Sequence, residues 1–336
     1  MTHWGRRTAE VRTVEELYCL TSRDMADWLT PYCMPNDHCL SIGQAPSQGL
    51  VYAIDGNIVV KVPFQYPITS QPDSDIESRR DDSLRSFELL RKEANIYELL
   101  AHHPHRNIVR CIYARPASCL FLERALNPLH SAQAQANKQL RFRWIRQLLS
   151  AVTHLEELGY THGDLAVQNI GIDDNDCLKM FDFGSATHKE DDTFKYTSEK
   201  DHTGLSTCLY FLLSGVDPLA NAKNWDEFRC IQRELSEGRY NTVPEAGILR
   251  EVIVDGWTEG ATRRTFGETR KVVEGIIGGG DDATLHPHPL KDYRTMEAVC
   301  ETWLDTVSVE PHWLTEQQYH AKLKSLGYDV EEGLWG

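Results

Sequence analysis

The chain has 336 residues, of which 41% are hydrophobic and 25% charged, proportions that suit a globular protein with one large domain or two lobes. Its formal net charge of −15 argues against a general nucleic-acid binder or a binder of anionic membranes, and it has no apolar run of the roughly 20 residues that a membrane helix needs. The N-terminus lacks an apolar signal core and the nine cysteines form no C-x-x-C pair, which predicts a cytoplasmic or nuclear protein without a zinc site.

The first third of the chain is predicted to be rich in strands. It begins with an N-terminal extension, residues 1–39, in which residues 14–29 have helical apolar spacing. Two β-rich runs then flank Asp55-Gly56, which predicts a hairpin with a tight primed turn. Residues 65–82 are predicted to form a mobile polar insertion, and residues 83–102 a helix. Two short strands are predicted over residues 108–112 and 119–122.

The rest of the chain is predicted to be mostly helical. A long amphipathic helix over residues 140–158 ends at Gly159. Two short strands, residues 170–172 and 178–181, are joined by an acidic turn. After a polar stretch that ends at Lys200, apolar helices are predicted over residues 205–213, 225–235, 246–257, 266–277, 293–307 and 315–326, with a glycine-rich linker at 278–282.

Two motifs carry the chemistry. His-Gly-Asp-Leu-Ala-Val-Gln-Asn occupies residues 162–169, and Asp-Phe-Gly follows the predicted strand pair at residues 182–184. This order places an acid, an amide and a second acid at the spacing that phosphoryl transfer from ATP needs. Asp164 can accept a proton from an attacking hydroxyl, while Asn169 and Asp182 can hold Mg²⁺ against the phosphates.

The element order and these motifs resemble the protein kinase family over roughly residues 40–277. The resemblance implies an α+β, two-lobed fold with ATP between the lobes. A small antiparallel β-rich N-lobe with one main helix, together with the hinge, would span residues 40–125. A larger α-helical C-lobe would span residues 126–277, followed by a linker and helical tail at 278–336.

The resemblance also assigns roles to residues that match family positions. Lys61 would pair with the α- and β-phosphates of ATP, held by Glu93, for which Glu88 and Glu98 are rivals on the same helix. Asp164 would be the catalytic base, and Asn169 and Asp182 the Mg²⁺ ligands. His162 would shape the loop, and Asp201 would begin the next large helix and brace the loop, with a plain helix N-cap as the simpler reading.

Adenine and phosphate contacts are implied by two further segments. Leu122 would wall the adenine pocket, and the backbone of Glu123 and Ala125 would hydrogen-bond the base. The loop that covers the phosphates keeps Gly43, Gly49 and the following Val51, but it lacks the middle glycine of the family and has a proline instead.

Three departures bear on activity. Gly163 replaces the family arginine that receives an activation-loop phosphate, so no activation by phosphorylation of that loop is expected. The motif His-Gly-Asp also occurs in small-molecule kinases of the aminoglycoside phosphotransferase type. Ala166 and Gln168 supply no cation where protein kinases have a lysine or an arginine. The loss of such a contact typically costs about 10²–10³ in rate, so slow chemistry is expected.

The segment from Asp182 to Asp201, about 19 residues, is also short for an activation segment. It has no Ala-Pro-Glu motif, which leaves Arg264 without the glutamate that the family would give it. The sequence therefore predicts an ATP- and Mg²⁺-dependent kinase that acts on a protein Ser or Thr hydroxyl, without nucleic-acid or membrane partners and of open oligomeric state. Two alternatives stay open: a pseudokinase that transfers little, and a small-molecule kinase.

Overall fold

The structure is a computed structural model that describes residues 40–41, 49–68, 74–115, 119–125, 127–220, 222, 224–258, 264–279, 292–307 and 314–328. The helix predicted within residues 14–29, most of the 278–282 linker and Gly43 lie outside the described residues. The described strands are β1 (Leu40–Ser41), β2 (Leu50–Ala53), β3 (Ile58–Val62), β4 (Cys111–Arg115), β5 (Cys119–Glu123), β6 (Asn127–Pro128), β7 (Tyr160–Thr161), β8 (Ile170–Ile172), β9 (Leu178–Met180) and β10 (Thr187–His188).

The described α-helices are α1 (Ser74–His102), α2 (Leu129–Gln133), α3 (Lys138–Glu157), α4 (Phe194–Ser214), α5 (Trp225–Ser236), α6 (Arg250–Trp257), α7 (Phe266–Ile277), α8 (Tyr293–Val307) and α9 (Glu316–Ser325). They and the strands form two compact units. The first unit takes the described residues within 1–101, 110–124 and 291–336, and the second takes those within 102–109 and 125–290. The expected α+β fold, with an antiparallel β-rich part and a larger helical part, is confirmed.

The first unit is built on a five-stranded antiparallel sheet in the order β1-β2-β3-β5-β4. All residues of β3 and β5 are buried, because this central pair is covered on both faces. The predicted hairpin is present, with Val51 opposite Lys61. The strand predicted over 108–112 is wrong in its bounds: β4 begins at Cys111 and runs to Arg115.

The primed turn predicted at Asp55-Gly56 is also wrong. Four residues, Ile54 to Asn57, connect the two strands, and Gly56 does not have the positive φ that a type I′ turn requires. The Asp55 carboxylate instead accepts hydrogen bonds from the N–H groups of Asn57 (2.6 Å) and Ile58 (2.8 Å). A side chain that caps the loop has taken the place of the left-handed backbone.

Helix α1 contradicts the mobile insertion predicted over 65–82. It begins at Ser74, nine residues before the expected start, and the preceding Gln65 and Tyr66 are buried. Hydroxyl groups of the helix accept hydrogen bonds from this segment: Tyr66 N–H donates to Ser83 Oγ and Phe64 N–H to Ser86 Oγ, each at 3.0 Å. These polar contacts order the segment without the apolar periodicity on which the prediction relied.

The two helices predicted in the C-terminal tail are present and complete the first unit. Cys300, Trp303 and Leu304 of α8 join Val60 and other sheet residues in one buried cluster. The Trp303 ring meets the Phe121 ring edge to face, with 5.5 Å between ring centroids.

Helix α9 packs on α1 through Tyr319 and Leu323, which form a second buried cluster with Phe87. The Tyr319 hydroxyl donates to the Tyr66 carbonyl oxygen at 3.2 Å. Arg91 of α1 also forms an ion pair with Glu316 at 3.1 Å. The tail therefore supplies part of the core of the first unit and supports the helix that carries Glu93.

The second unit is mainly helical. Helix α3 lies at its centre, begins with Asn137 as N-cap and ends before Gly159, whose φ is +81°. Helix α4 begins at Phe194, not with Asp201 as predicted, so the polar stretch before Lys200 is partly helical. The helix predicted over 246–257 is a 3₁₀ segment, Pro244–Leu249, followed by α6. Among the described helices, none combines the length and apolar character needed to span a bilayer.

Candidate active site

In the first unit, Lys61 and Glu93 form a buried ion pair. Lys61 Nζ lies 2.6 Å from Glu93 Oε2, and the two side chains are 8% and 0% exposed. The rivals on α1 are engaged elsewhere or exposed: Glu88 pairs with Lys92 at 2.5 Å, and Glu98 faces solvent. A buried charge is stable only when it is paired and hydrogen-bonded, so each of the two residues requires the other.

The backbone of the first unit approaches Lys61 closely at Gly49. A Cβ atom at this glycine would lie 2.8 Å from the Val62 carbonyl oxygen and 3.5 Å from Lys61 Cε. Val51 stands opposite Lys61 in the β2–β3 ladder and is half-buried. Gly49 and Val51 are thus next to the lysine, while the third predicted residue of this loop, Gly43, lies outside the described part of the chain.

The residues that the family resemblance places against adenine lie at the end of strand β5 and directly after it. Leu122 is 6% exposed and Glu123 is 3% exposed. The Glu123 N–H donates to the Arg110 carbonyl oxygen at 2.9 Å, so a contact from this residue to a base would use its own carbonyl oxygen. Ala125, which belongs to the second unit, is half-buried.

In the second unit, Gly163 has a backbone conformation that requires glycine. Its φ is +77°, and a Cβ atom would lie 1.9 Å from the Ser185 carbonyl oxygen. The arginine that the family places here has no room for even its first side-chain carbon. The missing arginine is therefore a requirement of this loop's shape.

Asp201 holds the same loop by its backbone. Its carboxylate accepts hydrogen bonds from the N–H groups of His162 (2.6 Å), Gly163 (3.0 Å) and Leu165 (3.3 Å). Burial raises the pKa of Asp201, against the opposing effects of His162 and of these amides. The bracing contacts implied by the resemblance are present, whereas the N-cap reading is wrong because Asp201 lies inside α4.

His162 connects the loop to the segment of the second acid. Its Nε2 donates to the Phe181 carbonyl oxygen at 3.0 Å, and its Nδ1 accepts from the Asp164 N–H at 3.3 Å. Its ring also packs against Phe183, with 5.0 Å between centroids. These contacts identify His162 as a residue that shapes the loop.

The three predicted polar side chains gather at one end of the β8–β9 hairpin. Asn169 directly precedes β8 and Asp182 follows β9, and the antiparallel pairing of these strands brings the two positions together. The Phe181 N–H donates to the Asn169 carbonyl oxygen at 3.1 Å. Asp182 has a φ of +70°, an uncommon conformation for a residue with a side chain and one that occurs at functional sites.

The donor set at this end fits a divalent cation that also binds phosphates. Asn169 Nδ2 donates to the Asp164 carbonyl oxygen (2.8 Å) and approaches Asp164 Oδ2 (3.4 Å), so its Oδ1 is the atom suited to a cation. Within the described residues, no group of three or more His, Cys, Asp or Glu side chains could hold a metal alone. Mg²⁺ typically takes one or two protein ligands, together with phosphates and water, which matches this set.

Lys200 is a site residue that sequence reasoning missed. Its Nζ lies 2.8 Å from Asp164 Oδ1 and 3.0 Å from the Gly163 carbonyl oxygen. The signal available was its position directly before Asp201, but the polar stretch around it was not predicted to be helical. Arg264, for its part, pairs with Asp255 at 3.1 Å.

Comparison with known proteins agrees with the geometry. The family model described as "Protein kinase domain" matches residues 75–204. Hormonally up-regulated neu tumor-associated kinase of Homo sapiens is 28% identical over 100 residues, which is 28% of this chain and 14% of that protein. Ephrin type-B receptor 2 of Gallus gallus is 22% identical over 223 residues, 55% of this chain and 21% of that protein. The alignments thus span only about a seventh to a fifth of the length of these relatives.

Proposed function

Because the chain belongs to the protein kinase superfamily, we propose that it transfers the γ-phosphate of Mg²⁺-bound ATP to a serine or threonine hydroxyl of a protein. The observation that carries the proposal is the grouping of Asp164, Asn169 and Asp182 at one end of a hairpin. A cytoplasmic or nuclear location and a protein partner are part of the same proposal.

Each of the three residues has one task. Asp164 accepts the proton of the acceptor hydroxyl as that oxygen attacks the γ-phosphorus. Asn169 Oδ1 and the Asp182 carboxylate hold the Mg²⁺ ion, which neutralises charge on the phosphate oxygens when bound. Asp201 keeps the loop in shape through the three backbone amides described above.

The residues of the first unit bind the nucleotide in this proposal. Lys61 contacts the α- and β-phosphates, and Glu93 keeps its ammonium group in place. Gly43, Gly49 and Val51 cover the phosphates with backbone and one apolar side chain. Leu122 contacts the adenine ring, and the backbone of Glu123 and Ala125 hydrogen-bonds it.

A small-molecule acceptor is the second candidate, and one observation favours it. Only eleven residues, 183–193, lie between Asp182 and the start of α4 at Phe194. In protein kinases this segment forms the platform for a peptide, so a short one leaves less surface for a protein substrate. The absence of a cation at Ala166 favours a pseudokinase, whereas the ammonium group of Lys200, 2.8 Å from Asp164 Oδ1, speaks against that alternative.

A comparison of wild type with Asp164→Asn tests the proposal. We expect the wild-type protein to transfer label from γ-labelled ATP, with Mg²⁺ present, to a mixture of protein substrates. The rate of transfer should be lower by a factor of about 10²–10⁴ in the variant, while its ATP-induced thermal shift persists. Asp174→Asn is the matched control, because Asp174 is exposed in the β8–β9 turn. Equal transfer by wild type and Asp164→Asn would sink the proposal, and labelling of metabolites alone would favour the second candidate.

A further inference from the structure

We propose that Lys200 supplies the positive charge on the transferred phosphate that the catalytic loop lacks at Ala166 and Gln168. A lysine on helix α4 would then do what a loop lysine or arginine does elsewhere in the superfamily. The inference rests on the proposed function, since it assigns a contact with the γ-phosphate of the same nucleotide.

The position of the ammonium group is the first argument. Lys200 Nζ donates to Asp164 Oδ1 at 2.8 Å and to the Gly163 carbonyl oxygen at 3.0 Å. An ammonium group has three N–H donors, so two hold the catalytic loop and the third is available for a phosphate oxygen. The group therefore sits directly beside the atom that would take the acceptor proton.

The rigidity of the backbone is the second argument. Lys200 is the seventh residue of α4, and its neighbour Asp201 makes three hydrogen bonds to the catalytic loop. One turn later, a Cβ atom at Gly204 would lie 2.0 Å from the Leu165 carbonyl oxygen. The helix thus packs on the loop without an intervening side chain, which fixes where the Lys200 stem begins.

The charge balance around Asp164 is the third argument. Asp164 Oδ2 faces the Asn169 amide at 3.4 Å, and Oδ1 faces Lys200, so the carboxylate is held from two sides. The Lys200 and Asp164 side chains are 49% and 34% exposed, and an ion pair this accessible adds little stability. A role on a bound phosphate, in a less hydrated setting, accounts for the placement better than stability does.

The chemical step balances without a change in the protonation of Lys200. A bond forms between the acceptor oxygen and the γ-phosphorus, while the bond from that phosphorus to the β–γ bridging oxygen breaks and leaves its electrons on ADP. The acceptor proton passes to Asp164. Lys200 stays protonated and stabilises the negative charge on the equatorial phosphate oxygens.

Four variants test this assignment by steady-state kinetics. We expect Lys200→Met to lower kcat by about 10²–10³, with little change in KM for the acceptor. Lys200→Arg should retain most of the activity, and adding Ala166→Lys to Lys200→Met should restore at least about tenfold, because the cation returns from the family position. Lys195→Met is the control, since Lys195 is an exposed lysine of the same helix; it should match wild type.

A binding experiment separates this inference from the proposed function. Lys200→Met should weaken Mg²⁺-ATP binding several-fold more than Mg²⁺-ADP binding, because only ATP has the γ-phosphate. This ratio is measurable by calorimetry even if no transfer to any acceptor occurs, in which case the proposed function fails separately. An unchanged ATP-to-ADP ratio, or a rise in activity in Lys200→Met, would overturn the inference. A loss of thermal stability in Lys200→Met that Lys200→Arg shares would also count against it.

Discussion

The backbone of Gly163 touches the backbone of Ser185, and the contact leaves no space for a Cβ atom on the glycine. The catalytic loop and the segment after Asp-Phe-Gly therefore lie in close contact at the position where the protein kinase family usually has an arginine. The absence of the family arginine and the close approach of the two segments are therefore one and the same feature.

Substitution at Gly163 is expected to destabilise the protein. Gly163→Ala places a Cβ atom against a carbonyl oxygen at a φ of +77°, which should lower the free energy of unfolding by at least about 2 kcal/mol. Urea denaturation measures this directly. Gly247→Ala is the control, because nothing lies within 4 Å of a Cβ atom there. Equal midpoints for the two variants would show that the contact does not constrain the loop.

Removal of one partner of the Lys61–Glu93 pair should cost both stability and activity. Glu93→Ala leaves a buried ammonium group without its carboxylate, for which we expect a loss of about 3–5 kcal/mol in unfolding free energy. Lys61→Met should strongly reduce phosphotransfer. Glu98→Ala, at an exposed position on the same helix, is expected to change either quantity little. Unchanged transfer in Lys61→Met would mean that this lysine does not contact the phosphates.

His105 should make the protein less stable in mild acid. Burial lowers the pKa of His105 to about 4, with the positive charges of His154, Arg270, Arg106 and Lys179 acting in the same direction. The geometry agrees, because its Nδ1 accepts the Asn107 N–H at 3.2 Å and its Nε2 lies 3.1 Å from Ser150 Oγ. The neutral ring is therefore the form that fits the fold.

The sign of the pH effect follows from this depressed pKa. The unfolded chain binds the proton near the ordinary histidine pKa of 6.5, before the folded protein does, so stability is complete above that pH and falls as the pH drops toward about 4. The loss reaches about 3 kcal/mol for a shift of this size. Urea unfolding between pH 7.5 and 4 should show it, and His105→Asn should flatten the profile. A His105→Asn profile as steep as that of wild type would assign the acid sensitivity to other groups.

Apolar periodicity and short motifs predicted much of this structure because they report buried faces and local chemistry. The β2–β3 hairpin and α7 follow alternation and helical spacing, and both are where the sequence placed them. Lys61 and Glu93 are in contact, as the family resemblance implied, while their contact with ATP stays a prediction.

The failures share a physical cause, which is order created by polar contacts. Hydroxyl groups of Ser83 and Ser86 in α1 hold the segment that precedes this helix, through the N–H groups of Tyr66 and Phe64. The start of α4 is rich in charged and polar residues. Neither has the apolar spacing that marks a helix. Lys200 was missed because its partner Asp164 lies 36 residues away, and pairs at such distance leave no local pattern.

The tail contacts have a consequence for how the protein is made. The hydrogen bond from the Tyr319 hydroxyl to the Tyr66 carbonyl oxygen joins residues 253 positions apart in the sequence. Trp303 packs on a sheet whose strands emerge from the ribosome much earlier. The N-terminal sheet therefore stays partly uncovered while the whole helical unit is synthesised. A chain that stops before residue 293 lacks Cys300, Trp303 and Leu304, so the sheet residues that pack against them lose this cover.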